Sequence, residues 1–234
     1  MRVYGKNVAL AVLKENTKVN NIYLSNHFKE DEILRLINKK NIPYKIIDSR
    51  EMDRIESGLH QGIIMDIEDI KTYELEEIIP KINKENALVV ILDHLEDPHN
   101  FGAIVRSCEA FGVDTIIIPK DRSVQITSTV YKTSVGTIEK VKIIKVANIN
   151  NAIEKLKKYN YWIIGTDMEG TNYTSIDYKT NIALIIGNEG KGISPLVKRN
   201  CDYLAKIPME GTVNSLNASV ACGVFLSEIV RSRK

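Results

Sequence analysis

The sequence predicts an α/β protein with a mostly parallel sheet, preceded by a small α/β domain. From Ala87 onward, continuous apolar runs alternate with helical patterns, as expected of strands buried on both faces of a sheet. The first 68 residues alternate between helix and strand patterns on a shorter scale, and a charged stretch separates the two regions. We therefore predict a first domain at 1–68, a linker at 69–86 and a second domain at 87–234.

The first domain alternates amphipathic stretches with short apolar runs, which is typical of a small three-layer domain. The patterns predict helices at 7–13, 31–40 and 50–57 and strands at 21–24, 44–47 and 62–67. The stretch that follows is rich in acidic side chains, with a few apolar residues among them. This composition indicates a linker with one short helix.

The second domain has five longer apolar runs, which we interpret as strands. They cover 87–92, 115–118, 141–146, 161–165 and 182–186, and helical patterns lie at 103–111, 126–133 and 151–159. A last amphipathic helix is predicted to begin at Asn214 or Ser215. Ligands of parallel sheets bind beyond the carboxyl ends of the strands, so the loops at those ends are the candidate site.

Composition and charge narrow the possible partners and compartment. The 32 basic and 30 acidic residues leave a net charge of only +2, so a contact with nucleic acid would depend on a local patch. Three cysteines without a C-x-x-C pair favour a reducing compartment and argue against a disulfide framework or a zinc site. We find no signal-peptide core and no membrane-spanning run, and therefore expect a cytoplasmic protein without a membrane partner.

The loop after the first of these strands leads into a helix. Asp97 and Pro98 suit the cap and the first position of that helix. Arg106 follows Asn100 by six residues, so we expect the two on roughly the same side of the helix. Carboxylates and imidazoles of this loop also allow a metal-site interpretation, on Asp93, His94, Asp97 and His99. Such polar clusters are common in strand-to-helix loops, so we predict no metal.

A glycine-rich loop follows the fifth apolar run. Gly187, Gly190 and Gly192 allow sharp turns and a close approach of the backbone to a ligand. Their spacing fits neither a P-loop nor a dinucleotide-binding turn. Glu189 within the loop is either a solvated turn residue or a carboxylate placed for function, and the local pattern leaves both interpretations open.

The stretch 207–223 leads into the last helix with more polar side chains than a helix start needs. Ile207 is predicted to lie at the end of an apolar strand, which Pro208 and Gly211 interrupt. Four polar residues then cluster near the predicted helix start: Asn214, Ser215, Asn217 and Ser219. One of them can cap the helix, and the others are available to a polar or anionic ligand.

These loops carry three motifs in a fixed order. They are D-P-x-N-x-G-A-I-x-R at 97–106, G-N-E-G-x-G at 187–192 and I-P-M-x-G-x-V-x-S-L-N-x-S-V-A at 207–221. The motifs resemble those of the SpoU (TrmH-type) family, RNA ribose 2′-O-methyltransferases of the SPOUT superfamily. The first domain, with G-K-N-V at 5–8 and H-Q-G at 60–62, is similar to the RNA-binding domain that many members carry.

The resemblance implies a trefoil knot at the C-terminal end of the sheet and S-adenosylmethionine as the cofactor. It implies that Gly187, Ile207 and Leu216 hold this cofactor, largely through backbone groups and apolar side chains. It assigns catalysis to Arg106, assisted by Asn100, Glu189, Ser215 and Asn217. It also implies a homodimer through the second domain, with the helix of Arg106 and the last helix near the two-fold axis.

The chemistry of Arg106 has two interpretations. A guanidinium stays protonated at neutral pH, which favours a clamp on the target phosphate and a stabiliser of the developing alkoxide. Deprotonation of the hydroxyl with help from that phosphate is the alternative. Glu189 would orient Arg106 or the ribose, and Ser215 and Asn217 would position the hydroxyl or the cofactor.

The nature of the substrate also has alternatives. The arrangement is most similar to the bacterial branch that methylates a guanosine in 23S rRNA, but tRNA and antibiotic-resistance rRNA methyltransferases share the motifs. A silent RNA-binding relative is disfavoured by the intact Asn100, Arg106, Glu189 and Asn217. An ordinary nucleotide-binding enzyme is disfavoured because the phosphate-loop spacing is missing.

Overall fold

The structure is a computed structural model that describes residues 1–15 and 17–234. The chain divides into two compact units. The smaller comprises Met1–Ile70 and Ile126–Glu139, and the larger comprises Lys71–Gln125 and Lys140–Lys234. Among the described residues, no helix combines the length and the hydropathy that crossing a bilayer requires.

The smaller unit is built on a mixed sheet in the order β1-β4-β2-β3. Its strands are β1 (Arg2–Tyr4), β2 (Val19–Ser25), β3 (Tyr44–Ile47) and β4 (Ile63–Ile67), and its helices are α1 (Lys6–Lys14), α2 (Asp31–Lys39), α3 (Ser49–Ile55) and α6 (Ser128–Thr133). β4 is antiparallel to β1 and β2, whereas β3 is parallel to β2. The predicted helices and strands of this region are confirmed with small shifts at their ends, and β1 is an addition.

The helix α6 belongs to the smaller unit, although its position in the chain placed it in the predicted second domain. It packs against β1 and α1. Tyr131 of α6 is fully buried, and its hydroxyl donates to the carboxylate of Glu139, which also accepts from the hydroxyl of Thr17. A local helical pattern holds no information about contacts over such a distance in the chain.

The larger unit is built on a seven-stranded sheet in the order β11-β9-β10-β6-β7-β8-β5, and every pairing in it is parallel. Its strands are β5 (Thr72–Tyr73), β6 (Leu88–Leu92), β7 (Thr115–Pro119), β8 (Lys142–Val146), β9 (Tyr161–Asn172), β10 (Asn181–Ile186) and β11 (Tyr203–Lys206). Its helices are α4 (Leu75–Ile78), α5 (Pro98–Ala110), α7 (Ile149–Lys158), α8 (Pro195–Asn200) and α9 (Ala218–Ser232). The predicted α/β class with a mostly parallel sheet is confirmed.

The core of the larger unit lies on both faces of this sheet. On one face, Val89, Ile91 and Ile185 pack with apolar side chains of α4, α7 and α8. Side chains alternate along a strand, so the equally buried Val90 and Leu184 point to the opposite face. Burial on both faces explains why the sequence of these strands reads as continuous apolar runs.

The strand order places a topological switch point at the centre of the sheet. β6 and β10 are neighbours that end side by side, with Leu92 paired to Ile186. From β6 the chain continues to β7 and β8 on one side, whereas β9 and β11 lie on the other side of β10. Parallel α/β sheets bind their ligands at the carboxyl edge of such a point.

Two segments of the larger unit differ from the prediction. The segment 69–86 was expected to be a linker with one short helix. The short helix is confirmed as α4, which buries Leu75 and Ile78, but the segment also contributes β5 as an edge strand paired with β8. The last helix begins at Ala218 instead of Asn214 or Ser215, because Asn217 is the residue whose side chain accepts from its first N–H groups. The strand end expected at Ile207 is confirmed with a small shift, since β11 ends at Lys206. The short α8 was not predicted, and the trefoil knot stays a prediction.

α5 and α9 pack against each other, which brings the first and third motifs together. Gly223 of α9 faces Ser107 of α5, and a Cβ on this glycine would lie 4.0 Å from the Ser107 hydroxyl oxygen. Cys108 and Cys222 are buried free cysteines on the two helices. Burial raises the pKa of the Cys108 thiol well above its ordinary value, and the neighbouring Cys222 raises it further, so this group stays protonated.

Candidate active site

A cleft of about 1190 Å³ opens in the larger unit at the carboxyl edge of β9, β10 and β11. Five of the eight residues that the sequence analysis selected line it: Gly187, Glu189, Ile207, Ser215 and Leu216. The other three, Asn100, Arg106 and Asn217, lie on α5 or at the start of α9. The cleft therefore joins the second and third motifs, and the first motif reaches it through hydrogen bonds.

A chain of side-chain hydrogen bonds connects all three motifs. Nδ2 of Asn217 donates to Oδ1 of Asn100 at 2.8 Å, and Nδ2 of Asn100 donates to Oε1 of Glu189 at 3.1 Å. The backbone N–H of Asp97 also donates to that Glu189 oxygen, at 3.4 Å. Asn100 is buried, so its amide has no water to replace a lost partner. These bonds fix the positions of the three motifs relative to one another.

The donors and acceptors in this chain leave one consistent orientation for both amides. Oδ1 of Asn217 accepts from the N–H groups of Ser219 and Val220 at 2.9 and 3.4 Å, so its Nδ2 must face Asn100. The carboxylate of Glu189 only accepts, so Asn100 must turn its NH₂ group toward it. Asn217 thus caps α9 and orients Asn100 at the same time.

The glycine loop is held by its own backbone and by one asparagine. Oδ1 of Asn188 accepts from the N–H groups of Gly190 and Lys191 at 2.9 and 3.2 Å, and its Nδ2 donates to the carbonyl of His94 at 2.8 Å. A Cβ on Gly187 would lie only 2.3 Å from the carbonyl carbon of Gly192. Gly187 is therefore required for the loop to pack on itself, before any ligand is considered.

Arg106 is exposed on α5, whereas Asn100 is buried. The expectation that they share a side of the helix is wrong, because six residues correspond to a rotation that leaves them about 120° apart. Among the residues that the structure describes, Arg106 has no hydrogen bond or ion pair. Glu189, which was expected to orient Arg106 or the ribose, contacts Asn100 and Asp97 instead of Arg106. The guanidinium of Arg106 is available to a partner outside the chain.

Three of the four side chains considered for a metal site, those of Asp93, His94 and Asp97, have other contacts. The carboxylate of Asp93 is buried, contacts Nδ1 of His94 at 2.6 Å and accepts from the N–H of Ser194 at 2.6 Å. Asp97 caps α5 by accepting from the N–H of His99 at 2.9 Å. Within residues 1–15 and 17–234, no group of three or more His, Cys, Asp or Glu residues is arranged to hold a metal ion.

The cleft also contains polar residues that the sequence analysis missed. Thr166, Asp167 and Glu169 follow the buried part of β9, and Lys198 of α8 pairs with Asp167 at 2.8 Å. The sequence signal was a hydroxyl and a carboxylate directly after the apolar run 161–165. That signal is weak, because polar residues follow most strands.

A second, smaller cleft of about 260 Å³ lies in the smaller unit. It is lined by both short motifs of the first domain, since Lys6, His60, Gln61 and Gly62 border it. Oε1 of Gln61 accepts from the N–H of Lys6 at 2.9 Å and so connects the two motifs. The remaining lining combines one acidic side chain with aromatic, basic and hydroxylic ones: Ser25, His27, Phe28, Lys29, Glu30 and Ser49.

Comparisons with known proteins identify both units. The family model described as the SpoU rRNA Methylase family matches residues 87–227, and the model described as RNA 2′-O ribose methyltransferase substrate binding matches residues 2–73. The chain belongs to the SpoU rRNA methylase family. The family and the enzyme class predicted from the three motifs are confirmed.

Individual SpoU-family relatives resemble the whole chain. A Bacillus subtilis protein, YacO, assigned to the TrmH family of tRNA/rRNA methyltransferases, is 36% identical over 237 residues, covering 99% of this chain and 95% of its own. The 23S rRNA (guanosine-2′-O-)-methyltransferase RlmB of Coxiella burnetii is 37% identical over 239 residues, covering 99% and 96%. The crystal structure of the SpoU methyltransferase AviRb from Streptomyces viridochromogenes, in complex with AdoMet, matches with a TM-score of 0.83 at 24% identity, over 100% of this chain and 90% of that one. The last similarity concerns the fold.

The hydrogen-bond chain through Asn100 generates a prediction about stability. Asn100→Ala removes one hydrogen bond to Glu189 and one from Asn217, and we expect it to lower the free energy of unfolding by about 1–3 kcal/mol. Asn217→Asp keeps the oxygen that caps α9 but leaves the buried Oδ1 of Asn100 without its donor, so it should also lower the free energy of unfolding. Urea unfolding of both single variants and the double variant measures the coupling between them.

The double variant decides the interpretation. Once Asn100 is alanine, Asn217→Asp has no bond left to remove and should add almost no further loss. Fully additive losses would show that the two side chains act independently.

Proposed function

We propose that the protein transfers a methyl group from S-adenosylmethionine to the 2′-hydroxyl of a ribose in structured RNA, specifically of a guanosine in 23S rRNA. The observation that carries this proposal is the convergence of the three motifs at the switch point of the parallel sheet, linked through Asn100. Membership of the SpoU family supports the reaction class. The name of the Coxiella burnetii relative supports the choice of 23S rRNA.

The cleft of the larger unit suits the methyl donor. Leu216 and Ile207 offer apolar side chains beside backbone N–H and C=O groups, the combination that adenine recognition needs. Gly192 and Gly211 line the cleft, and a Cβ on either would meet nothing within 4 Å. When bound, S-adenosylmethionine supplies an electrophilic methyl group on a positively charged sulfur.

The proposed catalytic residues of all three motifs act on the RNA. Arg106 remains a cation and is exposed, so it binds the phosphate next to the target ribose and stabilises negative charge that develops on the 2′-oxygen. Glu189 is held by Asn100 and Asp97 at the cleft, where its second oxygen can orient the ribose. Ser215 is exposed in the same cleft and positions the hydroxyl. Fixing the reacting groups in this way provides much of the acceleration.

The smaller unit holds the RNA substrate in this proposal, so that residues 1–68 bind RNA and residues 87–234 carry the reaction. The family match over residues 2–73 supports this division. The small cleft combines an aromatic ring, Phe28, with the exposed cation Lys29, which suits an unpaired base next to its phosphate. Lys6 in the same cleft is already paired with Glu30 at 2.6 Å.

The active form is a homodimer through the larger unit, and its compartment is the cytoplasm. Val220 on α9 is 51% exposed, and α9 lies beside the exposed Arg106 helix. An apolar side chain on this surface favours pairing about a two-fold axis. An RNA substrate and the three free cysteines favour the reducing cytoplasm.

Gly211 provides a test of the cofactor site. A valine at Gly187 would disturb the loop itself, whereas Gly211 lines the cleft and a Cβ there would meet no neighbour within 4 Å. We expect Gly211→Val to keep the unfolding transition of the wild type but to weaken binding of S-adenosylhomocysteine by roughly tenfold or more, measured by calorimetry. Gly211→Ala should lie between the two. Unchanged affinity in Gly211→Val would place the cofactor elsewhere.

Arg106 provides a test of the reaction. We expect Arg106→Ala to lower methyl transfer to a 23S rRNA transcript by roughly 10²-fold or more, because the electrostatic stabilisation of the alkoxide is lost. Its affinity for S-adenosylhomocysteine should stay within a few-fold, since Arg106 does not line the cleft. Arg106→Lys should recover part of the rate.

The same assay tests the substrate. Transcripts of 23S rRNA and of tRNA are compared, and the modified ribose is mapped by its resistance to alkaline cleavage. Methylation of tRNA alone would contradict the choice of 23S rRNA, and wild-type activity in Arg106→Ala would remove Arg106 from the mechanism.

Lys29 provides a test of the RNA-binding cleft. Lys29→Glu should weaken binding of the 23S rRNA transcript and reduce the slope of log affinity against log salt by about 1, because one phosphate contact is lost. Lys39→Glu is the matched control, since Lys39 is an exposed lysine at the end of α2 that does not line this cleft. Filter binding between 50 and 200 mM salt gives both slopes. Equal slopes for the two variants would exclude the cleft.

A further inference from the structure

Asp167 is a carboxylate on the wall of the active-site cleft that none of the three motifs includes. It follows the buried part of β9, and its side chain is only 19% exposed. Oδ1 of Asp167 accepts from the N–H of Glu169 at 2.9 Å, and Oδ2 contacts Nζ of Lys198 at 2.8 Å. Each oxygen has one donor and can accept from another.

The charge state of Asp167 follows from these contacts. Partial burial opposes ionisation, but the hydrogen bond from Lys198, the N–H of Glu169 and the charge of Lys198 together lower the pKa of the carboxyl below its ordinary value. Asp167 is therefore an ionised acceptor whose charge Lys198 already neutralises.

The position of Asp167 lies between the two loops that the cofactor is expected to contact. β9 has β10 on one side and β11 on the other. The glycine loop with Gly187 follows β10, and Ile207 follows β11. A nucleoside held by both loops must pass over the part of β9 that lies beyond its pairing with β10, where Thr166, Asp167 and Met168 line the cleft.

The backbone next to Asp167 is fixed. The hydroxyl of Thr166 donates to the carbonyl of Ile185 on β10 at 3.1 Å. On the other side, Gly170 packs so closely on β11 that a Cβ would lie 2.4 Å from the carbonyl oxygen of Leu204. Asp167 is thus presented to the cleft by a segment anchored to both neighbouring strands.

We propose that Asp167 accepts hydrogen bonds from the ribose hydroxyls of the methyl donor and so selects a ribonucleoside in the cleft. This inference rests on the proposed function and adds a binding residue to it. Two vicinal hydroxyls are neutral donors that match the two free acceptor positions of one carboxylate. The α-ammonium group of the amino-acid end would gain less there, because Lys198 lies against the same carboxylate.

Three ligands separate these possibilities. S-Adenosylhomocysteine has both the ribose diol and the amino-acid end, 5′-methylthioadenosine lacks the amino-acid end, and the 2′,3′-dideoxy form of S-adenosylhomocysteine lacks the diol. Affinities for wild-type protein and for Asp167→Asn are measured by calorimetry on the full chain. Thermal unfolding without ligand verifies that each variant is folded.

Asp202→Asn is the matched control. Asp202 also pairs with a lysine, Lys157 at 2.7 Å, and accepts a backbone N–H, from Ile163 at 2.8 Å, but it does not line the cleft. A general effect of removing a lysine-paired carboxylate from this unit would appear in both variants.

We expect Asp167→Asn to bind S-adenosylhomocysteine and 5′-methylthioadenosine about tenfold or more weakly than wild type, since a hydrogen bond to a charged acceptor is lost. The dideoxy ligand should bind both proteins equally, and Asp202→Asn should match the wild type throughout. Weakened S-adenosylhomocysteine with unchanged 5′-methylthioadenosine would assign Asp167 to the ammonium group and overturn the proposal. Equal losses for all three ligands, or no loss, would also overturn it. Wild-type protein that bound none of them would refute the proposed function itself.

Discussion

The candidate active site depends on one buried amide, that of Asn100. It accepts from Asn217 and donates to Glu189, so a single side chain joins the helix of the first motif, the glycine loop and the start of the last helix. A buried amide without partners costs about 1–3 kcal/mol, which gives this arrangement a strong preference over displaced loops. The three segments are distant in the chain, and the amide makes their relative position a property of the fold.

The parallel sheet explains why these segments can meet. Parallel strands direct all their carboxyl ends to one edge, and β6 and β10 end side by side at the switch point. The loops after β6 and β10 are therefore neighbours although almost a hundred residues separate them. Asp93 strengthens this contact, because its buried carboxylate accepts from the N–H of Ser194 behind the glycine loop.

Most of the polar and charged groups of the site pair with one another, whereas one cation is exposed. Glu189, Asn100 and Asn217 satisfy one another, and Lys198 neutralises Asp167 on the cleft wall. Arg106 remains exposed and, among the described residues, has no ion pair. A reaction between a nucleoside cofactor and a polyanionic RNA requires fixed hydrogen-bond acceptors and an available cation.

Local pattern was sufficient for much of this protein. The continuous apolar runs determined the parallel sheet, because a strand buried on both faces has few polar positions. Asp97 and Pro98 correctly marked the start of α5, since cap chemistry acts within one turn of helix. The three motifs identified the family because their residue types and their order can be seen directly in the amino-acid sequence.

Only the tertiary structure decided features that depend on contacts between distant residues. It moved the start of α9 to Ala218, because Asn217 and not Asn214 or Ser215 meets both the helix N–H groups and Asn100. In the structure, Gly187 packs against Gly192, and the charged stretch after the first domain adds β5 to the large sheet. Asp167 lies in the wall of the cleft. In each case the deciding neighbour is far away in sequence or lies across a turn, so the physical cause is a contact that no local pattern contains.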